Sequence, residues 1–457
     1  MKHPALLALA LVGLVVPVIA QTTSTAPAVR LVTLDPGHFH AALVQKTMYP
    51  QVDPAVRVYA PEGDDLAEHL KRIAGYNARA ENPTHWQQVV YRGPDFFAKM
   101  LGDHPGNVLV LAGNNRQKTD YIEAAVNAGF NVLADKPMAI DRANFARLER
   151  TLATAQQKGV LLYDIMTERS EVTTALQKEF SLLPEVFGKL ESGTPDNPAV
   201  TKESVHHFYK FVSGAALKRP AWAFDVTQQG EGIVDVTTHL VDLVQWECFP
   251  EQVLDYRKDI QLLSAKRWAT RVTAAEFNAV TSLPDFPAYL KPQVQDGVLS
   301  VFANGEINYL LKGVHARVSV RWNYRAPDGT GDTHYSIMRG TRCNLVIRQG
   351  AEQAYKPVLY IEPVTGTEAA EFGRSLAAAV AKVQAKYPGI SLKPLAGTWQ
   401  VVVPAKYDVG HEAHFGQVMD RFLQYLTAGK LPSWEVPNMI AKYYTTTAAL
   451  ELARQSH

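Results

Sequence analysis

The run Val29-Arg30-Leu31-Val32-Thr33-Leu34-Asp35-Pro36-Gly37-His38-Phe39-His40-Ala41 decides the fold. Its aliphatic and β-branched start reads as a buried strand, an Asp-Pro-Gly turn follows, and small apolar residues then open a helix. Outward from it the same rhythm repeats. Strands are expected at Val29–Leu34, Val56–Ala60, Asn107–Ala112, Asn131–Ala134 and Val160–Tyr163, with helices at Ala41–Met48, Leu66–Ala74, Lys118–Ala128 and Arg142–Lys158 between them. Such alternation builds βαβ units and therefore an α/β, Rossmann-like, doubly wound parallel sheet. Past residue 165 the rhythm changes. Alternating patterns at Gly297–Phe302, Ile307–Leu311, Ala316–Tyr324, Tyr335–Met338, Asn344–Ile347 and Val358–Ile361 predict an α+β domain with a large, mostly antiparallel sheet. Helices at Glu412–Leu426 and Pro437–Ala453 close the chain. The expected domains are 29–164 and 165–457, with the closing helices free to pack back on the first.

A chain of 457 residues suits two domains rather than one core. With 47% apolar and 20% charged residues and a formal net charge of +1, nothing points to nucleic acid or an anionic membrane, so a small-molecule partner is the default. Lys2 and His3 precede an apolar stretch from Ala5 to Val18, and Val18-Ile19-Ala20 precedes Gln21. This describes a secretory signal peptide cleaved after Ala20, with 21–28 as a linker. Export to the periplasm or medium by a Sec-type route is expected, with no membrane span after processing. Cys248 and Cys343 either pair in that oxidising compartment or stay as isolated buried thiols.

A phosphate-binding turn needs glycine where the backbone approaches the pyrophosphate, and a helix N-terminus to supply free N–H groups. Set against G-x-G-x-x-G, Asp35 takes the first position, Gly37 the second and His40 the third, so only the middle glycine remains. Three readings of the loop stay open: a cofactor cradle, a structural cap, or the H-x-H ligand pair of a metal-dependent hydrolase. The second strand ends in Pro61-Glu62 rather than in an acid at its tip, and Glu62 is the candidate for a ribose hydroxyl.

The strand Asn107–Ala112 runs into Gly113-Asn114-Asn115, and Asn131–Ala134 into Asp135-Lys136-Pro137. Pro137 keeps Lys136 out of helical conformation, at a strand's carboxyl end where α/β proteins bind ligands. A solvated surface lysine is the plain alternative. Farther on, Gly232 to Trp246 reads as a buried helix, yet Asp235, His239 and Asp242 recur at i, i+4 and i+7 on one face. Buried ionisable groups need partners or a wet cavity. Histidine near its unperturbed pKa can take the proton that an alcohol loses on oxidation.

The set Asp135-Lys136-Pro137 with Asp235-x-x-x-His239 resembles the glucose–fructose oxidoreductase / inositol dehydrogenase (Gfo/Idh/MocA) family, in a branch with an altered glycine loop. The resemblance implies NAD or NADP, held tightly or recycled in the site. It implies Lys136 as the cation on the substrate oxygen, His239 as general base and Asp235 as the residue orienting substrate, with Asp242 behind them. It places Asp35, Gly37, His38, Phe39, His40, Glu62, Asn114, Asn115, Asp135, Lys136 and Pro137 along the cofactor, and Tyr163-Asp164 through Arg169 at the crossover between domains. Arg169, His207, Tyr209, Lys210, Trp222 and His411 are the candidate substrate contacts; capping with packing is the plain alternative for His411.

No metal ligand set is assigned. The expected activity is oxidation or reduction of a secondary hydroxyl on a sugar or glycoside. The alternatives are a redox-neutral glycosidase or lyase working through the same site, a non-catalytic carbohydrate-binding protein, and a metal-dependent hydrolase using His38, His40 and His239. A carbohydrate partner and a homo-oligomer through the C-terminal sheet complete the expectations.

Overall fold

The computed structural model describes residues 28–212, 215–328 and 330–455. The expected signal peptide and most of the linker lie outside them. Among the described residues no helix is long and apolar enough to cross a membrane.

Six parallel strands form the first sheet: β1 (Leu31–Leu34), β2 (Ala55–Ala60), β3 (Gln87–Arg92), β4 (Val108–Leu111), β5 (Asn131–Asp135) and β6 (Leu162–Ile165), in the order β3-β2-β1-β4-β5-β6. The central strands β1 and β4 are buried at every position, as helices on both faces require. The edge strand β3 was not legible, because Gln87–Arg92 is half-exposed and its apolar stretch, Val89-Val90-Tyr91, is only three residues long. Helices α1 (His40–Leu43), α2 (Asp64–Ala78), α3 (Phe96–Asp103), α4 (Lys118–Asn127) and α5 (Arg142–Lys158) join the strands. The first is a single turn, shorter than the expected Ala41–Met48. Helix α5 starts where the Asp141 carboxylate accepts from the Asn144 N–H at 2.7 Å, and it ends on Gly159 at φ 68°.

After helix α6 (Val172–Ser181), strand β7 (Val200–Tyr209) enters the second sheet, a ten-stranded, mostly antiparallel one in which β7 is parallel to Val314–Arg325. The two expected strands Gly297–Phe302 and Ile307–Leu311 are one, Val298–Leu311. Asn304-Gly305 has the composition of a turn but works inside the strand. A Cβ on Gly305 would lie 2.6 Å from that of Ile233, so glycine lets the chain press against the sheet, while Asn304 Oδ1 accepts from the Trp322 N–H at 2.7 Å.

The closing helices His411–Ala428 and Glu435–Gln455 pack on both domains. Phe415, Val418, Met419, Phe422 and Tyr443 join the core of the parallel sheet, while Ala441, Ala449 and Leu450 join the core under the second sheet. Cys248 and Cys343 are free thiols.

Candidate active site

The strand order reverses between β1 and β4, so the loops that follow them diverge and leave a crevice at the carboxyl edge of the sheet. The two loops touch first. Gly113 lies so close to the β1 loop that a Cβ there would meet the Asp35 carbonyl oxygen at 2.2 Å. Asp35 turns the chain at φ 48°, a left-handed conformation that aspartate tolerates, and Tyr121 donates to its carboxylate at 3.2 Å. From there the crevice widens into a cavity of about 720 Å³ between the domains. Its first-domain wall is the loop Asp35–Phe39, the segment Ala60–Leu66 and the α2 residues His69 and Arg72; Trp222, Gly232 and Asp235 belong to the opposite wall.

Gly37 has no room for a side chain. A Cβ there would meet Asp65 Oδ2 at 2.9 Å and Trp222 Cζ2 at 3.2 Å. These two residues join the domains, the Trp222 Nε1–H donating to Asp65 Oδ2 at 2.9 Å. Burial pushes the Asp65 carboxyl up to about 6, against the lowering effect of that bond. Burial also raises Asp35. Two acids with raised pKa therefore flank Gly37. Arg72, 5.7 Å from the centre of the Phe39 ring, is a cation on the same wall. Glu62 lines the cavity too and pairs with Arg92 at 3.5 Å.

Lys136, in a cis peptide with Pro137, reaches Asp235 across the domains: Nζ to Oδ1 is 2.6 Å, with side chains 10% and 7% exposed. Gln229 donates to the other Asp235 oxygen at 3.0 Å. Helix α7 (Val226–Gln229) precedes α8 (Thr237–Cys248), which starts later than the sequence pattern suggests. Gly232 packs on the Ala303 carbonyl, with no space for a Cβ, and residues 232–236 form turns. Asp235 thus lies just before the helix, and His239 in its first turn.

The polar stripe does not act as one unit. Asp235 takes Lys136. Asp242 takes Arg169 at 2.6 and 2.7 Å and Lys442 at 2.8 Å. His239 Nδ1 is buried with no partner, so neither aspartate sets its tautomer. Burial, then the nearby charge of Lys136, hold His239 well below its ordinary pKa, in the neutral form that accepts a proton.

Arg169 is corrected as a substrate contact. It is buried, with two bonds to Asp242 and two to Glu435 at 2.9 and 3.1 Å, so four of its five N–H donors are committed to these two carboxylates. Lys442 bridges Asp242 to Asp164 on β6, to which Tyr443 also donates, so the network fastens the closing helix to both domains. Burial raises Asp242, but Arg169 and Lys442 more than offset it and leave it below the usual carboxylate range.

Asn114 and Asn115 hold α7: Asn114 Nδ2 donates to Gln228 Oε1 at 2.6 Å and Asn115 Nδ2 to the Gln229 carbonyl at 2.7 Å. His207 is buried, and Asp332 gathers His206, His207 and Lys210 at once. Burial raises Asp332, but the contacts from His206, His207 and Lys210 more than offset it and leave it strongly acidic. Tyr209 stacks on Tyr324. His411, half exposed, faces His40 with ring centres 6.1 Å apart. Burial first, and neighbouring cations after it, lower both of these imidazoles.

Asp65, Asp332 and Gln229 were not singled out from sequence. Asp65 reads as an ordinary first-turn helix acid, and Asp332 as one of several turn aspartates.

The chain matches two family descriptions: "Oxidoreductase family, NAD-binding Rossmann fold" over residues 65–164 and "Putative oxidoreductase C terminal domain" over 176–454. The first match begins beyond the glycine-poor loop. No curated protein matches at a significant level. Among solved structures, a "putative oxidoreductase" from Parabacteroides merdae ATCC 43184 is 57% identical, with a TM-score of 0.93, over 94% of this chain and 99% of that one. Levoglucosan dehydrogenase in complex with NADH and L-sorbose shares the fold at 14% identity, with a TM-score of 0.60 over 93% and 97% of the two chains. Biliverdin reductase from Synechocystis sp. PCC 6803, with biliverdin and NADP+, shares it at 12% identity, with a TM-score of 0.55 over 93% and 99%.

Gly37, which tolerates no Cβ and opens on the interdomain cavity, fits a dinucleotide at that edge of the sheet. The chain belongs to the Gfo/Idh/MocA oxidoreductase family, with an NAD-binding Rossmann domain ahead of its C-terminal domain.

Proposed function

We propose that this is an exported enzyme that oxidises or reduces a secondary hydroxyl of a sugar or glycoside, with His239 as general base. The observation that carries the reading is the Lys136–Asp235 pair, 2.6 Å long, reaching from β5 to the wall of the cavity. The solved relatives named with sugars support the substrate class at the level of fold.

Bound nicotinamide supplies the hydride acceptor or donor. Gly37, His38 and Phe39 would face the pyrophosphate, and Glu62 the ribose. Lys136 holds the substrate oxygen and favours its alkoxide character. Asp235 accepts from a neighbouring hydroxyl while keeping the ammonium in place. His239, neutral at pH 7, takes the hydroxyl proton. Trp222 offers its ring to the apolar face of a sugar.

Export removes the enzyme from a nicotinamide pool, so the cofactor stays bound and is recycled. The test is mass spectrometry of nucleotide released on denaturing the full chain, combined with product analysis on a panel of glycosides. NAD(P) with a trapped keto-sugar supports the proposal. Cleaved glycoside without net oxidation would move the assignment to the redox-neutral reading, and absence of both would overturn it.

A further inference from the structure

The loop after β1 carries His40 at the third glycine position of the pattern and His38 two residues before it, and they do not simply fill space. His38 and His40 both turn Nδ1 toward one oxygen of Asp135, at the tip of β5. His40 Nδ1 lies 2.9 Å from Asp135 Oδ2, and His38 Nδ1 lies 3.8 Å from it. One donor atom from each of the three residues falls within 4.8 Å of the other two.

These separations bracket the edge of a coordination shell. Bonds of about 2.0–2.2 Å to a first-row divalent ion place neighbouring donors about 3.0–3.4 Å apart. The side chains of His38, His40 and Asp135 are 24%, 11% and 6% exposed, so the cluster is sheltered and borders the cavity through His38.

The Asp135 carboxylate oxygen takes the His40 Nδ1 contact at 2.9 Å and His38 Nδ1 accepts from the His40 N–H at 3.3 Å, so an ion bound among the three side chains would replace both contacts. Nearby positive charge is already engaged: Asp235 takes Lys136, and the Lys118 amine donates to the Asp135 carbonyl at 3.0 Å.

We infer that His38, His40 and Asp135 form a divalent metal site. Two imidazoles and one carboxylate are a borderline donor set suited to zinc, iron(II) or manganese, and three protein ligands leave positions open to an oxygen donor such as a substrate hydroxyl or a water. The inference stands apart from the oxidoreductase reading, because metal content is measured without turnover and nicotinamide content separately.

The experiment is elemental analysis of the full-length protein, prepared without chelator, loaded in turn with Zn²⁺, Fe²⁺ and Mn²⁺ and then gel-filtered. About one equivalent per chain of at least one of these ions is expected, falling to below about a tenth in His40→Ala and Asp135→Asn. X-ray absorption on the loaded wild-type protein, which needs no variant to fold, should show two imidazole nitrogens in the first shell. Less than about a tenth of an equivalent of every ion, or one equivalent with no imidazole scattering, would overturn the site.

Discussion

Lys136 and Asp235 stand 99 residues apart and meet at 2.6 Å, one from the tip of β5 and the other from the turn before α8. The pair is a buried interdomain bridge as well as a candidate catalytic element. A lysine read from sequence as a crevice residue is therefore structural too. Lys136→Ala leaves a carboxylate that is 7% exposed with only Gln229 as partner. Breaking a buried pair costs about 3–5 kcal/mol, so thermal melting should show a clear drop together with lost turnover. Adding Asp235→Asn should restore much of the stability and none of the activity.

Arg169→Met should act differently. Its charge is consumed by Asp242 and Glu435, so calorimetry should register a loss on the order of 3–5 kcal/mol. KM for sugar in the folded fraction should stay unchanged. A raised KM with normal stability would return Arg169 to the substrate site.

Asp65 gives a pH signature. Its folded pKa of about 6 lies above the ordinary 3.8, so the ionised carboxylate costs stability above that value, and the cost fades as pH falls toward 4. Asp65→Asn should stabilise the protein at neutral pH by on the order of 1 kcal/mol after solvent screening, and by nothing at acid pH. Melting curves across that range check it.

Gly37→Ala should displace the loop and weaken dinucleotide binding by about fivefold or more, since a clash of this kind typically costs about 1–3 kcal/mol. The incoming methyl meets Asp65 at 2.9 Å and Trp222 at 3.2 Å. Titration of the apo-protein with NAD and NADP measures it, and an unchanged Kd would contradict the placing of the cradle.

Much of this molecule was legible beforehand because period and burial coincide. The strands β1, β4 and β5 are buried and mostly apolar, and α5 has both its start and its stop written in Asp141 and Gly159. What stayed hidden depends on contacts between distant segments. Asn304-Gly305 reads as a turn until Ile233 is seen packed against it. Arg169, Asn114 and Asn115 sit at the expected places in the chain, but their donors serve the joint between domains. The aspartate–histidine–aspartate spacing located the helix but started it too early, since Asp235 precedes Thr237, and it misjudged the wiring, because the two aspartates found partners on three different elements.

The central claim is that a neutral His239 takes the substrate proton. Its lowered pKa requires activity to persist below pH 6.5, where an unperturbed imidazole protonates, and to fall only at more acid pH. The most direct measurement is single-turnover reduction of bound nicotinamide, followed by absorbance after mixing with an oxidisable glycoside, in wild type and His239→Asn. The account predicts equal nicotinamide content and a rate about 10²–10⁴-fold lower in the variant. Equal rates in the two proteins, with equal nicotinamide bound, would contradict it.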